Sequence, residues 1–364
     1  MARKPIVRII GSLNIDFVTL TPRVPGPGET LEAKSMTVHA GGKGSNQAVA
    51  CGKAAYTSAT EQDVQVEMLG AVGAGDPYYA SLLKPTLAKS GVGTRYVEEV
   101  EGVQTGTATI IVDEGSNGEN RILFVPGANH HVTDVAKVVA TATQDGVPDV
   151  VVMQGEIPKS TVLGLLSTFN GPEEEDDGHR QKEKKKKKKT CVVFNPAPMF
   201  DGIPLAALRN LAVLVVNETE CLLLFKAVQE LRDIETPSSG DDGSLAPHLD
   251  RLTAHLHELA AISIVIVTLG SRGLYYSAAQ TRTQSRSRGL IPAAKVAKVV
   301  DTTGAGDTFV GYFSTAVARH VSGSDHGTLE GFDVHGAALR ANDAAAKCVQ
   351  RSGAMESIPF GYEV

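Results

Sequence analysis

An acidic residue lies inside a glycine-rich turn near the carboxyl end of the chain. The run D-T-T-G-A-G-D-T-F spans 301–309, and an apolar helical spacing starts at its last residue, Phe309. Gly304 and Gly306 let backbone N–H groups approach a ligand, and a helix N-terminus favours negative charge, so this turn suits an anion. Asp307 among these donors indicates a general base that takes a proton from a hydroxyl while the amides hold a phosphoryl group. A capping aspartate at a helix start explains the turn equally well when the turn is considered alone.

A second glycine cluster, A-G-G-K-G-S-N-Q-A at 40–48, also follows a predicted strand and precedes a predicted helix. Lys43 and Asn46 offer hydrogen bonds to a polyol, and the glycines keep such a site open. Near the N-terminus the run G-S-L-N-I-D ends another predicted strand, where Asn14 and Asp16 alternate and therefore face the same side. An amide and a carboxylate on one face can hold sugar hydroxyls, although each residue alone also fits an ordinary turn.

Three common nucleotide-binding motifs are absent from the sequence. A P-loop requires Ser or Thr after its lysine, but Lys43 and Lys53 are followed by Gly and Ala. A dinucleotide fingerprint requires a glycine at the sixth position of G-x-G-x-x-G, where the run that begins at Gly304 has Phe309. Neither H-R-D nor D-F-G occurs. The residue identities therefore exclude P-loop, Rossmann and protein-kinase sites.

Composition narrows the class of protein further. Of 364 residues, 42% are hydrophobic and 21% are charged, which is typical of a folded globular chain. The net charge of −6 disfavours a protein that binds nucleic acid by neutralising phosphates. The four cysteines form no C-x-x-C pair, which argues against a disulfide scaffold or a zinc site. No apolar run approaches the ~18 residues of a membrane span, and the start is too short in its apolar part for a signal peptide, so we expect a cytoplasmic protein without membrane or nucleic-acid partners.

Short apolar runs alternate with helical patterns along most of the chain. Predicted strands lie at 6–11, 66–73, 149–155, 190–196, 211–217 and 263–270, with a further strand-like run at 295–300. Predicted helices lie at 44–55, 77–90, 132–143, 158–169, 248–261, 306–320 and 334–350. Several strands are apolar on successive residues, which is typical of strands buried on both faces of a parallel sheet. The alternation predicts right-handed βαβ units in a doubly wound α/β domain formed by 1–15, 39–95 and 125–364.

Two regions carry strand-like alternation and turn residues without a helix. They are 16–38 and 96–124, and their clearest pieces are 30–38 and 107–114. We expect them to form a small antiparallel sheet that stands off the main domain, which is often a lid over a ligand site. An ordinary extension of the edge of the main sheet is the alternative.

Three polar stretches are interpreted as inserted surface loops. Residues 171–190 combine an acidic block with a lysine run, 235–247 are rich in turn residues, and 280–289 are basic. None of these stretches can bury a core face. The lysine run at 184–189 weakly suggests nuclear presence or an anionic partner, but a solvated insertion is favoured because an acidic block lies beside it.

In combination, these motifs resemble those of the phosphofructokinase-B-type carbohydrate kinases, and most closely those of the ribokinase group of that family. The glycine clusters at 41–48 and 301–309 look like the family's N-terminal and C-terminal signatures. Further matching runs occur in order along the chain, at 25–30, 127–129, 154–158, 195–198, 217–220, 268–273 and 351–354. The resemblance covers residues 6–359 apart from the insertions.

The resemblance implies a fold and a reaction. The fold would be a ribokinase-like three-layer α/β sandwich with a mainly parallel central sheet and a small β-lid, through which such kinases also form homodimers. The reaction would be transfer of a phosphoryl group from ATP to the 5-hydroxyl of D-ribose. Another sugar or nucleoside kinase, such as a fructokinase, a deoxyribokinase or an adenosine kinase, is the main alternative. A catalytically silent binding protein is disfavoured by the intact Asp307 and its neighbouring glycines.

The resemblance also implies roles for individual residues. Asp307 matches the catalytic base, and the residues that match the anion hole are Gly304, Ala305 and Gly306. The sugar-binding positions match Asn14, Asp16, Gly42, Lys43, Gly44, Ser45, Asn46 and Glu156. The nucleotide-binding positions match Asn217, Thr268, Leu269, Gly270, Ser271, Arg272, Gly273, Gly306, Asp307 and Asn342. Asn342 departs from the family pattern, which often has His there.

Two ion sites are implied in the same way. Asn217 and Glu220 match a magnesium and phosphate motif, in which Glu220 would act through water because Mg²⁺ keeps much of its hydration shell. An acid that favours the first turn of a helix is the alternative interpretation of Glu220. The positions that match a monovalent-cation site, expected to hold potassium, are Asp301, Thr303, Cys348, Arg351, Gly353 and Ser357. Cys348 would contribute its backbone carbonyl.

Overall fold

The computed structural model describes residues 3–116, 119–171, 190–232, 234, 245–279, 286–324 and 327–364. Its strands are β1 (Ile6–Ile10), β2 (Asn14–Thr21), β3 (Ser35–Gly41), β4 (Gln65–Gly73), β5 (Val92–Val100), β6 (Gly106–Asp113), β7 (Glu119–Val125), β8 (Val150–Met153), β9 (Cys191–Phe194), β10 (Val213–Asn217), β11 (Ile264–Thr268), β12 (Leu274–Ala279) and β13 (Arg286–Ile291). Its helices are α1 (Lys43–Ala54), α2 (Lys84–Lys89), α3 (Val135–Thr143), α4 (Lys159–Asn170), α5 (Leu205–Leu208), α6 (Glu218–Ala227), α7 (Leu245–Ala260), α8 (Ala305–Gly323) and α9 (Val334–Cys348). A π-helical turn, Tyr79–Leu83, leads directly into α2.

The large sheet has nine strands within the described residues, in the order β13-β12-β11-β10-β9-β8-β1-β4-β5. Neighbouring strands are parallel from β11 to β5, and β12 and β13 run antiparallel to their neighbours. Successive side chains alternate between two apolar cores, so Val7 and Ile9 face one core and Ile10 the other. The first core packs against α1, α2, α8 and α9, and the second against α3 to α7. This three-layer arrangement confirms the predicted fold class.

No helix in the described part of the chain combines the length and the apolar character that a membrane crossing requires.

The β-lid consists of β2, β3, β6 and β7, in the order β3-β2-β6-β7. Its outer pairs, β2 with β3 and β6 with β7, are antiparallel as predicted, but the central pair of β2 and β6 is parallel. The reason is the origin of the two central strands. Strand β2 follows β1 and β6 follows β5, and both of those strands leave the large sheet in the same direction. The lid is therefore built from two hairpins that emerge from one edge of the large sheet.

The boundaries of the β-lid differ by a few residues from the prediction. Residues 96–100 were assigned to the lid, which is wrong, because they belong to β5 at the edge of the large sheet. Strand β5 is at the edge of the large sheet and only two of its nine residues are buried, so it lacks the unbroken apolar run that is typical of the inner strands. Conversely, residues 14–15 and 39–41 lie in lid strands rather than in the main domain.

Two further local predictions were wrong. Residues 286–289 were assigned to an inserted loop, but they form part of β13, whose edge position leaves polar side chains in solvent. Residues 245–247 likewise begin α7 instead of ending a loop. The strand-like run 295–300 forms no strand, and its last two valines are each 53% exposed. The remaining parts of the predicted insertions, 172–189, 235–244 and 280–285, lie outside the described residues.

Candidate active site

Polar residues collect where the parallel strands of the large sheet end. These residues are Asn14 after β1, Glu156 after β8, Asn195 after β9, Asn217 at the end of β10 and Thr268 at the end of β11. Because the five strands run in one direction, their carboxyl ends meet at one edge of the sheet. Ligands of open α/β sheets bind in the crevice outside that edge. The candidate site lies there.

The turn at the start of α8 has the geometry of an anion-binding site. Gly304 is left-handed with φ of 79°, and a Cβ there would lie 2.7 Å from the carbonyl oxygen of Ala354. Any other residue would need a strained backbone and a displaced neighbour. A Cβ at Gly306 would meet open space, so the backbone of this first turn is accessible to a ligand. Asp307 lies in the same turn and is only 8% exposed.

Two amide side chains of α1 hold the carboxylate of Asp307. Asn46 donates its Nδ2 to Oδ2 at 3.0 Å, and Gln47 donates its Nε2 to Oδ1 at 2.9 Å. The two helices approach closely, since a Cβ at Gly311 of α8 would overlap with Ala50 of α1. This contact joins the two glycine clusters that are far apart in sequence. Each carboxylate oxygen keeps a further lone pair that can accept a proton donor.

The glycines before and within the first turn of α1 allow that helix to sit against the end of β1. A side chain at Gly44 would collide with the backbone of Ser12, whose carbonyl accepts a hydrogen bond from the N–H of Ser45 at 2.9 Å. A side chain at Gly41 would overlap with the carboxylate of Asp16. The cluster therefore provides close packing and space for Asp16, in addition to the open site that the sequence predicts.

The first turn of α1 also supplies the positive charge of the site. Gly42 precedes the helix with φ of 95°, and the hydroxyl of Ser45 donates to its carbonyl at 3.0 Å. The N–H of Lys43 donates to the carboxylate of Glu156 at 2.9 Å. Burial works against the charge of the Lys43 ammonium, but the surrounding carboxylates, Asp307 first, outweigh it and raise the pKa of Lys43. Lys43 is therefore protonated at neutral pH.

Burial raises the pKa of the carboxyl groups that share the site with Lys43. The pKa of Glu156 is raised because the group is buried, although it accepts hydrogen bonds from the Ser12 hydroxyl and the Lys43 N–H. The pKa of Asp16 is raised to about 7, first by burial and then by the negative charges of Glu156 and Glu356. Asp16 therefore changes its protonation state close to neutral pH.

Among the residues predicted to bind the sugar, two buried acceptor atoms have no hydrogen-bond donor within the described chain, Asp16 Oδ1 and Asn46 Oδ1; Gln154 Oε1, after β8, is a further unpaired acceptor. The carbonyl oxygen of the Asn14 side chain, in contrast, accepts a bond from Asn129 Nδ2 at 2.7 Å. Buried polar atoms in folded proteins are nearly always paired, and an unpaired one calls for an explanation. The two acceptors indicate where hydroxyl donors of a ligand can bind.

The predicted nucleotide positions begin at the ends of β10 and β11, where Asn217 and Thr268 are register partners. Asn217 and Glu220 form a reciprocal cap at the start of α6. The N–H of Glu220 donates to the Asn217 side chain at 2.7 Å, and the N–H of Asn217 donates to the Glu220 carboxylate at 2.9 Å. Burial raises the pKa of Glu220, which lies close enough to Lys43 and Asp307 for their charges to act on it. The first-turn acid predicted as the alternative for Glu220 is thus present, and the charges of Lys43 and Asp307 also act on this carboxylate.

The loop 268–273 forms a tight 3₁₀ turn after β11. The N–H of Leu269 donates to the carbonyl of Gly273 at 2.7 Å, with Gly270, Ser271 and Arg272 in the turn between them. Gly273 has φ of 93°. Arg272 forms an ion pair with Glu218 in the first turn of α6. The loop 268–273 and the start of α6 are therefore joined by this ion pair. A ligand that binds one of them contacts an element that is held by the other.

Asn342 approaches the same region from α9. Its Nδ2 donates to the carbonyl of Pro292 at 2.9 Å. Pro292 follows β13, and a side chain at Gly273 would overlap with the carbonyl of Ile291 beside it. Asn342 therefore ties α9 to the segment next to the loop 268–273.

The six residues predicted for a monovalent cation lie next to one another: Asp301, Thr303, Cys348, Arg351, Gly353 and Ser357. Asp301 accepts bonds from the N–H of Thr303 at 2.9 Å and of Gly353 at 3.0 Å. Burial of Asp301 opposes its charge, but these N–H groups hold its pKa below the ordinary value. Cys348 Sγ lies 3.0 Å from Ser357 Oγ, and the Cys348 carbonyl accepts the N–H of Arg351 at 3.0 Å. The segment 348–357 is thus folded against Asp301.

Comparison with known proteins decides the family. The model of the pfkB family of carbohydrate kinases matches residues 6–360, which includes both glycine clusters and the segments between them. The chain belongs to the pfkB carbohydrate kinase family. It is therefore a phosphotransferase of the sugar-kinase class, as the resemblance predicts.

Curated relatives match this carbohydrate kinase over nearly its whole length. The ribokinase of Schizosaccharomyces pombe is 34% identical, over 98% of the chain and 95% of the relative. The ribokinase of Bacillus subtilis is 31% identical, over 98% of the chain and 97% of the relative. A deoxyribokinase of Salmonella typhi is 30% identical, over 97% of the chain and 95% of the relative.

Solved structures agree with these relationships. The ribokinase of Cryptococcus neoformans var. grubii serotype A, in complex with ADP, superposes with a TM-score of 0.72 at 30% identity, over 99% of the chain and 98% of that structure. The Arabidopsis thaliana ribokinase, complexed with ribose and ATP, superposes with a TM-score of 0.72 at 26% identity, over 99% of the chain and 97% of that structure. The fold of this carbohydrate kinase is thus the ribokinase-like sandwich.

Sequence reasoning missed four buried amides of the site, which are Gln47, Asn129, Gln154 and Asn195. Each lies inside a run that the resemblance includes: Gln47 and Gln154 are one or two positions from a selected residue, Asn195 begins its run, and Asn129 ends its run. A signal for Gln47 was available, because positions 43, 46 and 47 share one face of a helix. No such periodicity exists for the other three, which follow strands or precede them. Only the meeting of strand ends brings them together.

Proposed function

We propose that this carbohydrate kinase transfers the γ-phosphoryl group of ATP to the 5-hydroxyl of D-ribose, giving D-ribose 5-phosphate and ADP. The observation that carries the proposal is the position of Asp307, which lies in an open anion-binding turn and is held by the helix that also carries Lys43. The full-length similarity to proteins named ribokinase supports the choice of sugar. The Arabidopsis relative complexed with ribose and ATP supports the choice of both substrates.

The sugar end of the proposed site fits a neutral polyol. Asp16 Oδ1 and Asn46 Oδ1 are buried acceptors that need hydroxyl donors. The carboxylates whose charges act on the Lys43 ammonium are those of Asp307, Glu156 and Glu220, and the charge of Glu156 also acts on Asp16, so an anionic sugar would be repelled. Hydroxyl groups can donate to the carboxylates and accept from Lys43. The electrostatics therefore favour an unphosphorylated sugar as the acceptor.

The chemical step needs alignment, charge stabilisation and one proton transfer. Asp307 accepts the proton of the 5-hydroxyl while the oxygen–phosphorus bond forms and the bond between the β- and γ-phosphates of ATP breaks. The N–H groups of Gly304, Ala305 and Gly306 stabilise the charge that develops on the transferred group. ADP leaves with the electron pair of the broken bond. The β-lid, whose strand β2 carries Asp16, would cover the sugar and exclude water.

The residues near the nucleotide end of the site fit a magnesium ion that contacts few protein side chains. Within the described chain no three or more His, Cys, Asp and Glu side chains are grouped to hold a metal by themselves. Mg²⁺ commonly uses one or two carboxylates with waters and substrate phosphates, and Glu220 supplies one half-buried carboxylate beside Lys43. When bound, the ion would neutralise charge on the phosphates. Asn217 and Glu220 would hold its hydration shell.

The segment around Asp301 fits a monovalent cation such as potassium. One carboxylate held by two backbone N–H groups, with neighbouring carbonyl and hydroxyl oxygens, is a hard oxygen-donor set. The proposed ligands are Asp301, Thr303, Cys348, Arg351, Gly353 and Ser357. When bound, the cation would add positive potential beside the α8 turn. Asp301 itself orders the segment by accepting from Thr303 and Gly353.

A second copy of the chain is the proposed partner of the β-lid. Every residue of β7 is exposed, and Ile122 and Leu123 are 59% and 66% exposed. Strand β7 is also the outermost strand of its sheet within the described residues, so its outer hydrogen-bonding edge is free. Apolar edges of this kind pair with other strands unless they are covered. Sedimentation of the parent and of a Leu123→Lys variant tests the homodimer, and a parent that sediments as a monomer overturns it.

The experiment that tests the substrate is an ADP-release assay over ribose, 2-deoxyribose, fructose and adenosine. We expect the highest kcat/KM with ribose. A second candidate, deoxyribose, is favoured by the deoxyribokinase that matches 97% of the chain at 30% identity. A higher kcat/KM with any of the other three acceptors would overturn the ribose proposal.

A further inference from the structure

Gln47 is fully buried and touches Asp307 from α1. Its Nε2 donates to Asp307 Oδ1 at 2.9 Å and to Asn195 Oδ1 at 3.1 Å. Its Oε1 accepts a bond from Gln154 Nε2 at 2.7 Å. Both hydrogens and the oxygen of this amide are therefore used. A residue that is 0% exposed cannot reach a sugar or a nucleotide, so its contact with Asp307 has another purpose.

The orientation of the Gln47 amide is fixed by its neighbours. Asn195 donates its own Nδ2 to the carbonyl of Val215 at 3.0 Å, so its Oδ1 is the atom that faces Gln47. Reversing the Gln47 amide would place its oxygen against two acceptors, Asp307 Oδ1 and Asn195 Oδ1, and its nitrogen against a donor. Asn and Gln orientations are assigned from such networks, and here only one orientation of Gln47 satisfies all of its own polar atoms.

The amide network of Gln47, Gln154 and Asn195 joins four elements at the carboxyl edge of the sheet. Gln154 follows β8, Asn195 follows β9, Gln47 lies in α1, and Asp307 lies in α8. Gln154 lies against the end of β1, because its Oε1 occupies the space that a side chain at Gly11 would need. The carboxylate of Asp307 is thus connected to the rigid strands rather than only to its own helix.

We propose that Gln47 is a positioning residue for the phosphoryl-transfer step. Held by Gln154 and Asn195, it fixes the plane of the Asp307 carboxylate so that a lone pair points to the hydroxyl that attacks. A misplacement of about 1 Å in such a group can cost about 10²-fold in rate. The proposal rests on Asp307 being the base. The proposed role of Gln47 differs from that of Asn46, which also donates to Asp307 but has an unpaired Oδ1 that indicates sugar binding.

The test begins with Gln47→Met, which removes both donors and nearly keeps the volume. We expect kcat to fall by about 10²-fold, with dissociation constants of ribose and ATP within about threefold of the parent. Gln154→Met leaves both Gln47 donors in place but frees the amide to move, so a fall of about tenfold is expected. In an Asp307→Asn background, Gln47→Met should lower kcat no further, because the two residues act through one group.

Gln62→Met is the matched control. Gln62 also donates its Nε2 twice, to the carbonyls of Gly52 at 3.1 Å and Gly91 at 3.0 Å, but it joins the carboxyl end of α1 to the turn before β5, and neither of these belongs to the site. We expect this variant to melt at a lower temperature with kcat unchanged. A merely structural role for Gln47 would give the same pattern in Gln47→Met.

The outcomes distinguish the proposal that Asp307 is the base from the proposal that Gln47 positions it. If Asp307→Asn keeps its turnover, the assignment of the base fails, and the positioning role fails with it. If Asp307→Asn is inactive but Gln47→Met turns over within about threefold of the parent, only the positioning role is overturned. A ribose KM that rises as much as kcat falls, or a loss that adds to that of Asp307→Asn, overturns it as well. If Gln47→Met does not fold, Gln154→Met is decisive. A fall in its kcat supports the positioning role of Gln47, and an unchanged kcat overturns it.

Discussion

Two aspartates at opposite ends of the candidate site are held in different ways. Asp307 is 8% exposed and accepts an amide hydrogen bond on each carboxylate oxygen. Asp16 lies on lid strand β2, and its buried Oδ1 has no donor among the described residues. Burial together with Glu156 and Glu356 raises the pKa of Asp16 to about 7. The catalytic end is therefore organised before any ligand binds, whereas the sugar end is completed by the ligand.

The elements that carry the two aspartates also differ in how extensively they are packed. The helices that hold Asp307 pack against the large sheet, and the strand residues behind them are fully buried. The β-lid joins the same core through Ile15 and Ala40 at the base of β2 and β3, and Phe17 packs edge-on against Tyr78 at 5.6 Å between ring centroids. Its outer strand β7 is exposed along its whole length. We infer that changes at Asp307 alter turnover and that changes at Asp16 alter sugar binding.

The largest effect is expected for Asp307→Asn. Asn keeps the shape and the capping ability of Asp but cannot accept the hydroxyl proton at neutral pH. General-base catalysis is worth about 10²–10⁴-fold, so kcat should fall by at least that range. Ribose-dependent ADP release measures kcat, and calorimetry should show dissociation constants within about tenfold of the parent. A folded variant within about threefold of the parental kcat would contradict the catalytic side of the comparison.

The next effect is expected for Asp16→Ala. Losing a charge-assisted hydrogen bond costs about 1.5–3 kcal/mol, which raises the ribose KM by about 10- to 150-fold. The KM for ATP should stay within about twofold. Glu119→Ala, on the exposed strand β7 of the same lid, is the control and should change neither constant. A larger rise in the KM for ATP than for ribose would reverse the placement of the two substrates.

A pH dependence of sugar binding follows from the raised pKa of Asp16. An ionised carboxylate accepts hydroxyl donors on both oxygens more strongly than the neutral acid does, and Asp16 ionises as the pH rises through about 7. The ribose KM should therefore be about tenfold higher at pH 6 than at pH 8. The free protein should lose stability over the same rise, because the ionised form is the one that burial disfavours. Asp16→Asn should abolish both trends, and a variant that retains them would assign the dependence to another group.

Activation by potassium is expected to be smaller. The six residues around Asp301 lie beside the α8 turn, so a cation there would strengthen the catalytic end and leave the sugar end unchanged. Turnover should be faster in potassium chloride than in sodium or choline chloride at constant ionic strength, with an equal ribose KM. A thermal melt in the three salts measures binding without turnover. Equal rates and equal melting temperatures would remove the cation site.

The smallest effect is expected from excising residues 172–189. Helix α4 begins after the carboxyl end of β8 and ends at Asn170, and β9 begins at Cys191, so the two attachment points lie at the amino edge of the sheet. That edge is opposite to Asp307. Shortening a long surface insertion also changes the loop entropy little. We expect kcat/KM to change by less than about twofold, and a tenfold fall in the soluble variant would show that the insertion reaches the site.

Much of the fold could be predicted because its information is local. Apolar runs such as β8 and β10 are buried along almost their whole length, and an unbroken run is typical of a strand in a parallel sheet. The glycines of the two clusters carry local signals as well, since positive φ at Gly42 and Gly304 excludes most other residues. The strand β5 was misassigned because its position at the edge of the large sheet leaves it without the unbroken buried run of the inner strands.

The sequence by itself determined the α/β class, the two glycine clusters and the presence of Asp307, Asp16 and Lys43, because each depends on residue type or short-range spacing. Only the tertiary structure decided that the central pair of the β-lid is parallel, that Asp16 has a pKa near 7, and that Gln154 and Asn195 support Asp307 through Gln47. These properties depend on burial and on contacts between residues more than 90 positions apart. No periodicity along the chain encodes a contact that arises where separate strands end together.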